Sequence, residues 1–137
     1  MFRFVVKHLR WLARVPGLPQ IFDAVLLAGT AAFHRERLAA MDAIETAALK
    51  VPGVRLRPHR LGGTAFMRAG RELGHLHGNG LLDLFVGRKQ RDAIVAEGLA
   101  EPHHVFHESG WISFWVRSPG DTSSALDLLA IAASVSD

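Results

Sequence analysis

The sequence predicts an α+β domain: a mainly antiparallel sheet of about five strands, with helices at both ends of the chain packed on one of its faces. Three observations carry this expectation. Short strand-like runs crowd the middle of the chain, glycine-containing pairs that suit hairpins separate them, and helical periodicities flank them on both sides. The chain has 137 residues, 49% of them hydrophobic. That is enough apolar material for one core, and no internal repeat suggests a solenoid.

The elements follow in order. Phe2, Val5, Leu9 and Leu12 recur at helical spacing, and Arg3, Lys7, Arg10 and Arg14 follow the same spacing one step round. This predicts a basic amphipathic helix flanked by Phe4 and Trp11, of the kind that lies in a membrane interface. Pro16, Gly17 and Pro19 end it. The apolar run from Ile21 to Phe33 contains Asp23 and is shorter than the roughly 20 residues a membrane span needs. It is expected to pack on the domain or on a second copy of itself, with interfacial docking as the next choice and a true span as the least favoured. Residues 1–33 are therefore read as a helical appendage and residues 34–137 as the domain.

In the body, Leu38, Met41, Ile44 and Ala48 mark a core-facing helix stopped by Pro52 and Gly53. The run VRLRPHRL alternates apolar and basic positions, as a strand with one wet face does, and ends at Gly62 and Gly63. TAFMR, ELGHLHG and LLDLFV read as an antiparallel meander turned at Ala69-Gly70 and at Asn79-Gly80. RKQRDAIVAE is one helix between Gly87 and Gly98. WISFWVR is a strand with Ile112, Phe114 and Val116 on one face and Trp111, Ser113 and Trp115 on the other. Asp121 is the expected N-cap of a last helix with the stripe Ala125, Leu128, Leu129, Ala132 and Val135.

Composition excludes some chemistry. Without cysteine there are no disulfides, thiolate nucleophiles or cysteine-ligated metal sites. Four of the sixteen basic residues fall in the first fifteen positions with no acid among them, so the net charge of +3 describes a basic N-terminus on a nearly neutral body. That distribution argues against a nucleic-acid binder, whose basic residues stripe a folded face. Arg55, Arg57, Arg60, Arg68 and Arg71 form an acid-free stretch that either steers an anion or is a solvated edge.

The chemistry points to the histidines. Five of the eight lie in two short clusters, His75 and His77, then His103, His104 and His107. Imidazole is the side chain best suited to move protons near neutral pH or to ligate a metal. His75 and His77 are two apart on a predicted strand and so share a face. With a two-residue Asn79-Gly80 turn, His77 lies opposite Leu82 and His75 opposite Leu84; with a three-residue turn over Gly78 to Gly80, His75 lies opposite Asp83. Asn-Gly favours the first register.

Gly62-Gly63-Thr64, ELGHLHG, Asp83, Arg91-Asp92, AEPHH and SGW before an aromatic strand occur in an order and spacing that resembles the fungal-luciferase-like domain family, across roughly residues 54 to 132. The resemblance implies an enzyme-like pocket. In the light-emitting members a hydroxylated α-pyrone is oxidised by dioxygen without an added cofactor and then loses carbon dioxide. Those members also begin with a membrane-associated segment, a part residues 1–33 can play here. Light emission is not part of the expectation, and no catalytic residue is carried over from the family.

Three uses of the histidines compete. In the first, His75 or His77 is a general base, oriented by Asp83 or Glu72, that takes a proton from an enolisable aromatic or pyrone-like molecule. His103, His104, Trp111, Ser113 and Trp115 then help form the substrate pocket. Dioxygen is the co-substrate and no cofactor is expected. In the second, His75, His77 and one of His103, His104 or His107 ligate a transition metal. His75-x-His77 is similar to the first cupin motif, but the glutamate that should follow is missing, and the nearby carboxylates are only Glu72, Asp83 and Glu108. In the third, the histidines are structural hydrogen-bonders in a non-catalytic ligand-binding or membrane-peripheral module. The first is preferred. It comes with a cytoplasmic location, membrane contact through residues 1–33 and self-association as further options, and no nucleic-acid partner.

Overall fold

A computed structural model describes residues 15–135, and the amphipathic segment expected over Phe2 to Leu12 lies outside them. Two helices come first, α1 (Leu18–Phe33) and α2 (Arg35–Ala48), broken at His34. Strands β1 (Val54–Pro58), β2 (Thr64–Arg68), β3 (Arg71–Leu76) and β4 (Leu81–Phe85) follow as a meander. Helix α3 (Arg88–Ala96), a two-residue strand β5 (Glu101–Pro102), β6 (Trp111–Trp115) and α4 (Thr122–Ser134) complete the fold. The α+β expectation holds, with six strands rather than five in the order β1-β2-β3-β4-β6-β5, every pair antiparallel.

The two faces of the sheet do different work. Leu76, Leu82 and Phe114 lie side by side on one face, as do Leu84 and Ile112, and they meet Ile44 and Ala48 of α2 and Ala125, Leu129 and Ala132 of α4. This is the hydrophobic core. On the other face, Ala65, His75, Asp83 and Ser113 form a row across four strands.

A bulge lets β3 serve both faces. The β2–β3 register steps from Phe66 opposite Gly74 to Met67 opposite Glu72, so β3 carries one extra residue at Leu73. Leu73 and Leu76 therefore both enter the core, fully buried, while Glu72 joins His75 on the other face. In an unbroken strand, residues three apart would point in opposite directions.

The β3–β4 turn corrects the sequence expectation. His75 stands opposite Asp83 and Leu76 opposite Leu82, the register of a three-residue turn. Helix α1 explains this. The Gly78 N–H donates to Asp23 Oδ1 at 2.8 Å, and Thr30 Oγ1 donates to the Gly78 carbonyl at 2.7 Å. The groups that Gly78 would use to pair with Leu81 are taken. Instead the His77 N–H donates to the Leu81 carbonyl, and Gly80, with φ of 87°, closes the turn onto the His77 carbonyl.

The apolar run of α1 packs on α2 and the hairpin, with Asp23 and Thr30 buried. Among the described residues no helix is long and apolar enough to cross a membrane. Asp121 precedes α4 as expected, but its carboxylate turns back to accept the Arg117 and Ser118 N–H groups. Arg68 donates to the Ala133 carbonyl, and Arg71 to those of Ala132 and Val135. Two of the five arginines thus satisfy carbonyls at the end of α4, where a cation also opposes the helix dipole.

Truncating Leu82, fully buried between Leu76 and Phe114, is expected to cost about 2 to 5 kcal/mol by urea denaturation of Leu82→Ala. Gly74→Ala should lower the urea midpoint as well, because a Cβ there would strike the Asp83 carbonyl on the neighbouring strand. An unchanged midpoint for either variant would show that the strands are not packed this closely.

Candidate functional site

Four imidazoles gather around one carboxylate on the face opposite the core, and a fifth, His59, stacks on one of them. Asp83, fully buried at the centre of β4, places Oδ2 at 3.5 Å from His75 Nε2, 3.4 Å from His77 Nε2 and 3.5 Å from His103 Nε2. Its Oδ1 accepts a short hydrogen bond from the Ser113 hydroxyl and lies 3.9 Å from His104 Nδ1. The three Nε2 contacts to Oδ2 are longer than ordinary hydrogen bonds, and Oδ2 has no closer partner among the described residues.

Each histidine is held by its other nitrogen or by its ring face. His75 Nδ1 is 2.7 Å from Glu72 Oε1. His77 Nδ1 is 3.7 Å from Asp23 Oδ1, the same oxygen that holds the Gly78 N–H. His103 Nδ1 accepts from the N–H groups of Val105 and Phe106, both at 3.1 Å, which puts its proton on Nε2 and turns that proton toward Asp83. His59, which follows β1, stacks on His75 with ring centres 3.8 Å apart. Its Nδ1 accepts from the Leu61 N–H, so its Nε2–H faces Glu72 Oε1 at 3.5 Å. Trp111 leans over the group, 5.7 Å from His75 and 5.9 Å from His103.

The electrostatics divide the histidines into two kinds. Burial, the largest influence on each, works against a charged imidazole. At His77 the carboxylates of Asp23 and Asp83 outweigh it and raise the pKa to about 9. At His75, Asp83 and Glu72 outweigh burial and the pKa is raised above 6.5. At His104 burial prevails and the pKa falls to about 4. At His59 burial, reinforced by the charge of His75, also lowers it to about 4. Asp83 is pushed up by burial, but His103, His75 and His77 bring it well below 3.8. Glu72 is likewise lowered, its bond from His75 offsetting burial.

The sequence-derived site residues are largely brought together. His75, His77, Asp83, Glu72, His103, His104, Ser113 and Trp111 all belong to the cluster. Trp115 pairs with Leu81, two positions along β6 from Ser113. His107 is an exposed residue whose carbonyl accepts from Arg91. Glu108 is exposed. Ser113 donates to Asp83, and His103 accepts from the loop after β5. His59 and Asp23 were not singled out as site residues. Asp23 carried a readable signal, a lone acid in an apolar run, because a buried carboxylate needs a partner. His59 carried none, since only strand pairing brings the residue after Pro58 alongside Glu72 and His75. Beside Asp23, a cavity of about 230 Å³ opens between α1, α2 and the hairpin, lined by Leu27, Leu38, Met41 and Leu76 with Asp42 and Glu45.

These charges make stability depend on pH in a defined sense. A raised folded-state pKa at His77 and His75 stabilises the fold fully below 6.5, and that contribution is lost as pH rises toward about 9. The lowered values at His59 and His104 act oppositely, costing stability as pH falls from 6.5 toward about 4. In a chelating buffer the melting temperature is expected to peak near pH 6.5 and to decline on both sides. His77→Gln should flatten the alkaline limb; an alkaline limb unchanged in that variant would contradict the assignment.

Comparison with known proteins adds one finding. No curated protein and no solved structure matches the chain significantly. Residues 70–132, which span β3, β4, α3, β5, β6 and most of α4, match the family model described as Luciferase domain. Asp23 and His59 lie before the matched segment, whereas Glu72, His75, His77, Asp83 and His103 lie inside it, and this match places that segment, and the centre of the histidine site with it, in the luciferase-domain family.

Proposed function

We propose that this luciferase-domain chain oxidises an enolisable aromatic or pyrone-like small molecule with dioxygen, taking the substrate's proton onto the Glu72–His75 pair. The observation that supports it is the pair itself. Glu72 Oε1 and His75 Nδ1 are 2.7 Å apart, His75 is backed by Asp83, and Trp111 lies 5.7 Å from the imidazole as an aromatic surface on which a planar molecule can stack. Glu72 is the more exposed member, with 31% of its side chain accessible, and it is where a substrate's hydroxyl meets the cluster.

The chemistry follows from this arrangement. Removal of the enol proton leaves an electron-rich enolate with carbanion character at the adjacent carbon. That carbon gives one electron to dioxygen, and the resulting radical pair combines to form the new carbon–oxygen bond. The proton stays within the hydrogen-bonded pair until solvent removes it. His77 and Asp23 hold the far side of the network fixed.

Oxygen uptake by the purified protein with 3-hydroxyhispidin and simpler hydroxylated α-pyrones tests this reading. Turnover is expected with at least one of them, and His75→Ala or Glu72→Gln should reduce it by about 100-fold, within the range that a positioned acid–base group supplies. His107→Ala, at an exposed position whose carbonyl accepts from Arg91, should leave it unchanged. Uptake that survives both cluster substitutions, or its absence with every enol tried, would overturn the proposal.

A further inference from the structure

We infer that His75, His77 and Asp83 form a binding site for one divalent transition-metal ion of the Zn²⁺ or Fe²⁺ type, with Nε2 of each histidine and Oδ2 of the aspartate as ligand atoms. The inference goes beyond the oxidation reading and stands without it.

Spacing is the first argument. Bonds of about 2.1 Å in a tetrahedral arrangement put neighbouring donor atoms about 3.4 Å apart. Asp83 Oδ2 is 3.5 Å from His75 Nε2 and 3.4 Å from His77 Nε2, and all three donor atoms lie within 4.8 Å of one another. Hydrogen-bonded partners approach to about 2.9 Å. These atoms stand too far apart to bond to each other well and at the right separation to share an ion.

The second argument is the orphaned oxygen. Asp83 is fully buried, its Oδ1 is engaged by Ser113, and Oδ2 has no hydrogen bond of ordinary geometry, only the long approach of three Nε2 atoms at 3.4 to 3.5 Å. A buried carboxylate oxygen so weakly paired is costly, and a cation removes that cost.

The third argument is the outer partners. A ligating imidazole commonly gives its remaining N–H to a carboxylate, which fixes its tautomer and orientation. His75 does so with Glu72 at 2.7 Å, and His77 Nδ1 faces Asp23 at 3.7 Å. The same reasoning sorts the other histidines. His103 and His59 each accept backbone N–H groups on Nδ1, so Nε2 carries their proton and has no lone pair for a metal. His104 presents Nδ1 to Asp83 Oδ1, at 3.9 Å, the oxygen already engaged by Ser113. Two imidazoles and one carboxylate remain around Oδ2, which leaves coordination positions for water or a substrate oxygen. Such a donor set suits Zn²⁺ and non-haem Fe²⁺.

An ion on its Nε2 leaves the His75 Nδ1–H on Glu72, so the edge proposed to receive the substrate's proton is retained. The test uses full-length protein stripped with chelator and titrated with Zn²⁺ by calorimetry, and with Co²⁺ by visible absorption. One ion per chain is expected, with Co²⁺ giving the visible bands of a low-coordinate N,O site. His77→Ala and Asp83→Asn should each weaken binding by about 100-fold or more, and Glu72→Gln by about 10-fold, as outer partners do. His107→Ala should bind as the parent does. Circular dichroism of each variant identifies any that fails to fold, in which case His75→Gln replaces it. Absence of 1:1 binding, or binding unaffected by all of these cluster substitutions, overturns the inference. Oxygen uptake is measured on the same samples. Uptake by stripped protein that binds no ion would sink the metal site and spare the oxidation reading; stoichiometric binding without uptake would do the reverse.

Discussion

A carboxylate with no access to water sits at the centre of this sheet, and the rest of the structure answers to it. Asp83 is fully buried on β4, where an uncompensated charge would be prohibitive. Three Nε2 atoms and a serine hydroxyl surround it. Each comes from a different part of the chain or a different register position: β3 supplies His75, the turn supplies His77, the loop after β5 supplies His103, and β6 supplies Ser113. The sheet order β3-β4-β6 is what brings them to one carboxylate.

Several local irregularities exist to make that convergence compatible with a packed core. The bulge at Leu73 lets one short strand give two leucines to the core and two polar groups to the site. The three-residue turn at Gly78 to Gly80 aligns His75 with Asp83 rather than with a leucine. Helix α1 enforces the turn through Asp23 and Thr30, and the same Asp23 oxygen faces His77. The N-terminal apolar run therefore contributes to the site as well as to packing. On the opposite face, Arg68 and Arg71 tie the end of α4 to β2 and β3, so the strand bearing His75 is held from both sides.

Hydrogen-bond direction, more than proximity, separates the histidines by role. His103 looks like part of the central cluster by distance. Its Nδ1 is committed to two backbone N–H groups, so it serves as a donor that steadies Asp83 and closes the loop. His59 is committed in the same way to Leu61 and Glu72. His75 and His77 instead face carboxylates on both nitrogens. This pattern accounts for their raised proton affinity and, in the metal reading, for their role as ligands.

Much of this was legible in the order of residues. Period-two alternation in LLDLF and WISFW, helical stripes in α2 and α4, and glycine pairs at the turns determine the elements and the sheet, because those patterns follow from which side chains must leave water. The clustering of His75, His77, His103 and His104 with Asp83, Glu72, Trp111 and Ser113 was legible too, since strands with a shared polar face bring such residues together. The register was not: Asn79-Gly80 favours a two-residue turn locally, and only the hydrogen bonds from α1, more than forty residues earlier, decide otherwise. Nor was the bulge that sets Glu72 beside His75, nor the approach of His59 and Asp23. The sequence by itself determined the fold class and most of the residues that gather around Asp83. Which nitrogen faces which oxygen was decided by tertiary structure alone, because that depends on strand register and on hydrogen bonds between segments far apart in the chain.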